Sequence, residues 1–111
     1  MENQHRKISG YRELGEVEVN LMNQIKQKGA ELLQLQASLA GLLSTQLETK
    51  IHEAKKSTTH QPWEQGASDE CIELRRFQAA EPLRWAAIGK TDIQTGIMAL
   101  VRAVAQPGGG V

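Results

Sequence analysis

A chain of 111 residues is long enough for one domain, and with only 4% aromatic residues against 40% hydrophobic ones its core must be aliphatic, a composition that favours helix over sheet. Thirteen basic residues balance thirteen acidic ones; this excludes a protein whose main work is coating duplex nucleic acid, so any basic group that binds phosphate must act locally. The single cysteine, Cys71, excludes an intrachain disulfide and a Cys-based metal cluster and fits a reducing setting, while the lack of any run of about 18 apolar residues and the polar start predict a soluble, cytosolic chain with no membrane partner.

Residues 1–14 are polar and turn-prone, with Ser9-Gly10 ahead of the only tyrosine, Tyr11. Tyr11 lies among His5, Arg6, Lys7 and Arg12. Such a segment is either a solvated tail or a stacking platform for a nucleobase with cations for its phosphates, because every base has a π-face that a ring can cover.

Gly15 followed by Glu16 and Glu18 suits a helix start, since acidic groups in the first turn complement the macrodipole. A long helix is expected over 16–54. Leu21, Ile25, Leu32, Leu35, Leu39 and Leu42 recur at steps of three and four, with Lys28 filling the one gap, so they line one face. Leu33 and Leu43 widen that stripe. A helix of this length spans on the order of 50–60 Å, whereas a compact domain of this size has a radius of gyration of about 13 Å, so its apolar face calls for a partner, most simply a second copy. Gly29 and Gly41 each cost about 1 kcal/mol relative to alanine and imply a close approach to the backbone. Lys26 and Lys28 lie close to the first of them, on neighbouring parts of the surface, and read as lysines extending from the surface, or as cations facing a polar cavity on a seam between subunits.

Residues 55–67 read as a connector, with Trp63 packing back on a helical arm. His52 and His60 sit near no acidic or cysteine cluster, so no metal site is expected. Ser68 is a plausible N-cap for a second arm over 68–106, which Pro82 kinks or restarts. Ala86, Ile93, Ile97, Leu100 and Val104 form its expected inner face, Gly89 and Gly96 are expected to let another backbone come close, and Arg84 is expected beside a buried Trp85 indole. Residues 107–111 are a flexible tail. The expected fold is therefore all-α, a single helical domain over 1–111 in which long antiparallel helices form a hairpin with a Pro-kinked second arm and assemble into a homo-oligomer.

Two blocks of sequence carry a resemblance. His5-Arg6-Lys7-Ile8-Ser9-Gly10-Tyr11-Arg12-Glu13-Leu14 with Leu21-Met22-Asn23, Lys26 and Gly29, and then the run from Arg84-Trp85-Ala86-Ala87-Ile88-Gly89-Lys90-Thr91-Asp92 to Gln106-Pro107, resemble the phage-encoded cyclic-nucleotide sponges that block CBASS immunity. The middle of the chain, about 43–80, carries no motif that can be placed in the resemblance. The resemblance implies a helical protein that assembles through dimers into a hexamer in the cytoplasm of an infected bacterial host, without catalytic activity or cofactor. It implies binding and sequestration of cyclic dinucleotides such as cGAMP between subunits, and in some members of cyclic trinucleotides at separate sites. Carried over, Tyr11 would stack on a base and Lys26 would meet a phosphate of the dinucleotide. Arg84 resembles the arginine of the trinucleotide site, where the family's other contact is a threonine and this chain has Lys28.

Two rival classes remain. An enzyme would need an activated nucleophile or a paired acid and base, and neither the three histidines nor Cys71 shows such a pattern. A helical oligomeric adaptor or scaffold, working through protein-protein contacts along the apolar seam, is the alternative that periodicity alone favours.

Overall fold

A computed structural model describes residues 13–58 and 62–108. The described residues are all-α: α1 (Glu16–Ser57), α2 (Asp69–Ala80) and α3 (Pro82–Ala105). A long helix and a bent second arm form a hairpin. The first helix runs 42 residues, about 63 Å at the usual rise.

Each helix end follows from its local sequence. Gly15 donates its backbone N–H to Glu18 Oε1 at 2.9 Å, and its carbonyl accepts from Val19 N at 3.0 Å; the acidic group three residues into the helix thus satisfies a donor that the helix leaves open. Ser68 caps α2, its Oγ accepting from Cys71 N at 3.0 Å. The second arm breaks at one residue. Glu81 is left-handed, with φ 51° and ψ 48°, and its N–H closes on the Gln78 carbonyl. The residue before a proline is disfavoured in the right-handed helical region, so α2 ends and Pro82 opens α3 in the position where its missing N–H costs nothing. The proline is a restart, with the Glu81 carbonyl accepting from Trp85 N at 3.1 Å.

The chain divides into two compact units, one of Met1–Gln34 with Lys90–Val111 and one of Leu35–Gly89. In the first, α1 and α3 meet at Gly29, which is buried. A Cβ built there would collide with the Ile97 side chain, coming within 2.6 Å of Cγ1. Another helix therefore does approach the backbone at this glycine. At Gly41, Gly89 and Gly96 nothing lies within 4 Å of such a Cβ, so the close approach expected there is not met among the described residues.

In the second unit, Ala54, Cys71 and Leu74 are fully buried, with Leu47, Ile51 and Trp63 packed against them. Ser57 Oγ donates to the Ala54 carbonyl at 2.8 Å and lies 2.7 Å from Ser68 Oγ, so a small polar knot fastens the end of α1 to the cap of α2. Arg75 Nη1 donates to the Trp63 carbonyl at 2.7 Å and holds the connector. Glu73 bridges Arg76 and Lys50, at 2.6 and 3.0 Å, while Lys50 Nζ also lies 5.5 Å from the Phe77 ring centre. Further along, Gln36 Nε2 donates to the Ala86 carbonyl at 3.0 Å.

The face α1 turns inward is offset from the leucine stripe and takes from it only Ile25, with Leu33 and Leu43 from its margin. Met22, Ile25, Gly29, Leu33, Gln36, Ala40, Leu43, Leu47, Ile51 and Ala54 are buried or half-buried, again at steps of three and four. Leu21, Leu32, Leu35, Leu39 and Leu42 stay 47–67% exposed. Small residues mark the closest contacts of this face, Gly29 against Ile97 and Ala54 in the cluster with Cys71 and Leu74. On α3 the expected inner face holds at Ala86, Ile93, Ile97 and Val104, but Leu100 is exposed. Trp85 is 59% exposed and so is not the buried indole expected beside Arg84.

Candidate functional site

Of the residues singled out for the dinucleotide, Tyr11 lies outside the described residues. Lys26 is exposed on α1 and lines an open groove of about 550 Å³ whose other wall comes from α3, with Thr95, Met98 and Arg102. Ile97, Val101 and Ala105 give it an apolar lining. The sequence signal for the α3 wall is a row at positions 95, 98 and 102, separate from the inner face and interrupted by a methionine, so it does not read as an amphipathic stripe.

Lys28 is placed elsewhere. Two residues along a helix is about 200° of rotation, and Lys28 lines a second groove of about 470 Å³, formed with Leu21, Ile25, Leu32, Ile93, Ile97 and Leu100. The two lysines therefore do not occupy neighbouring surface, because the Gly29–Ile97 contact lies between their directions. Lys28 Nζ pairs with Glu31 Oε1 at 3.5 Å, and Gln27 Nε2 donates to Glu31 Oε2 at 3.0 Å. The Gln27 hydrogen bond first, and the Lys28 charge second, hold the Glu31 carboxyl below its ordinary range. This groove is apolar apart from Lys28 and Gln24, and it contains the exposed Leu21, Leu32 and Leu100.

Arg84 belongs to the other unit. Its Nη1 donates to Glu81 Oε2 at 3.0 Å, and its guanidinium carbon lies 5.2 Å from the Trp85 ring centre. A cation thus stands over an open indole face. Both the Arg84–Glu81 and Lys28–Glu31 pairs are exposed contacts three residues apart, of the kind that contributes little to stability. Cys71 is buried, with Sγ 3.8 Å from the Ala54 carbonyl and 3.7 Å from Ser57 Oγ.

In the first unit, α1 and α3 thus present two open grooves, each with Lys26 or Lys28 on an otherwise largely apolar lining. The chain matches the family described as Acb2/Tad1, hairpin domain, over residues 4–105, and it belongs to that family. It is 66% identical over 109 residues, 98% of this chain and 99% of the relative, to Anti-CBASS protein 2 of Pseudomonas phage JBD67. Both matches run through 43–80, so the middle segment, which carries none of the motifs of the resemblance, is also part of the family's sequence. No helix is long and apolar enough to cross a membrane among the described residues.

Proposed function

We propose that this chain opposes CBASS signalling in the cytoplasm of an infected bacterial host by binding cyclic oligonucleotide messengers and keeping them from their effector, without converting them. The near full-length identity to a phage protein named for opposing CBASS carries this reading. Lys26, exposed on an open groove, supports the ligand class: a cyclic dinucleotide such as cGAMP offers two phosphates and two flat bases, and the groove offers a cation and apolar wall. Tyr11 supplies the stacking ring. Arg84, with its open indole neighbour, and Lys28 are the cations for a cyclic trinucleotide.

The site is completed by a second copy. Among the described residues only six hydrophobic side chains are buried, four of them Ala or Cys, a thin core for a chain of this length. Five exposed leucines on one helix face give the surface on which dimers form and assemble into a hexamer. At a two-fold interface each ligand-binding residue appears twice, matching a ligand that is itself nearly symmetric. The same face would serve an adaptor that grips a different protein, the second reading.

Calorimetric titration with 3′,5′-linked cyclic dinucleotides tests the proposal. Binding by the wild-type chain, and a loss of about 1.5–3 kcal/mol when Lys26→Ala removes one charge-assisted contact, is the expected result. No binding by the wild type contradicts it and favours the adaptor, while full affinity in Lys26→Ala removes Lys26 from the site.

A further inference from the structure

Lys26 is not the only cation on its groove. Thr95, Met98 and Arg102 follow one another at steps of three and four along α3, so they share a face, and that face looks onto the groove Lys26 lines from α1. Arg102 lies in the last turn of α3, where its carbonyl accepts from Gln106 N at 2.8 Å; the turn is closed, and the side chain is exposed. Lys28, Lys50, Arg76 and Arg84 all hold carboxylates, but among the described residues neither Lys26 nor Arg102 forms an ion pair.

We infer that Arg102 is a second phosphate-contacting residue of the Lys26 groove, so that a single chain presents an ammonium and a guanidinium to one cyclic dinucleotide. This rests on the function proposed above. The two cations differ in what they offer. A lysine is a compact point charge, whereas the planar guanidinium can take two non-bridging oxygens of one phosphate at once. Ile97 and Val101 between them leave the rest of the groove apolar, fit for ribose and base faces rather than for a polyanion that needs cations along its whole length. The Thr95 hydroxyl adds a group that can donate to a phosphate or accept from a base edge. The ordinary role of a basic residue in the last helical turn is to complement the macrodipole; that role affects stability and leaves affinity for a ligand untouched, which separates the two.

The test is titration of a 3′,5′-linked cyclic dinucleotide into the wild-type chain, Arg102→Ala and Arg102→Gln, with melting temperature and assembly mass measured on each. Loss of one charge-assisted contact is expected to weaken binding roughly ten- to a hundredfold in both variants, at unchanged mass. Arg102→Gln keeps the length and polarity of the side chain, so it decides the matter if Arg102→Ala folds poorly. Wild-type affinity in a folded variant overturns the assignment of Arg102 while leaving the proposed function in place; a wild-type chain that takes up no dinucleotide overturns both.

Discussion

Lys26 and Lys28 show how much a two-residue offset decides. The intervening rotation sends one to the groove with Arg102 and the other to an apolar groove where it reaches back to Glu31. Composition marks both as cations near a glycine, but only the packing of α3 separates their surroundings. Among the described residues, Glu73 is the one whose titration is most strongly set by its neighbours. The Arg76 hydrogen bond, and then that of Lys50, lower its carboxyl from 4.5 to about 2. A carboxyl lowered by folding stabilises the fold above its ordinary value and loses that contribution as pH falls through its folded value. The melting temperature of the wild-type chain is therefore expected to drop more steeply than that of Glu73→Gln between pH 4.5 and about 2, followed by circular dichroism. Parallel profiles for the two would show that the bridge from α2 to Lys50 does not stabilise the fold.

At the level of elements, the contact of α1 with α3 depends on Gly29. Adding a methyl group there forces Ile97 aside, and overfilling a packed contact costs about 1–3 kcal/mol. Gly29→Ala is expected to lower the melting temperature by several degrees, and Ile97→Ala in the same chain to recover part of the loss; an unchanged transition would mean that α3 does not pack there. Much of this level was legible in the sequence. Glu16 and Glu18 after Gly15 marked the start of α1, Ser68 marked its role as a cap, and the cost of a glycine inside a helix pointed to the close approach at Gly29. The direction in which α1 faces the second arm was not legible. Two helical faces both satisfy the three-and-four spacing, one an almost unbroken row of leucines and one in which Gly29, Ala40 and Ala54 interrupt the larger apolar residues, and hydrophobicity alone selects the first. Small side chains win within the chain because they allow close backbone approach, which the sequence does not weigh against area. Arg102 escaped notice for a related reason: a basic residue in a last turn has an ordinary explanation, and its shared groove with Lys26 exists only once α1 and α3 are folded together.

For the whole molecule, the exposed leucines are the feature that a single chain leaves unexplained. Leu35 is the most exposed of them, at 67%, and in the proposed assembly it is covered by another copy. Leu35→Glu is expected to reduce the mass seen by light scattering while leaving helix content unchanged, since two thirds of the side chain lies open within its own chain. A persistent assembly of full mass would place the interface elsewhere. The central claim is that the protein holds a cyclic messenger intact. Incubating the purified chain with a cyclic dinucleotide, removing what stays free, and then heating the protein to release the rest measures this directly. The account predicts depletion of the free dinucleotide and its recovery unchanged after heating; a free pool that never falls, or the appearance of a linear product, would contradict it.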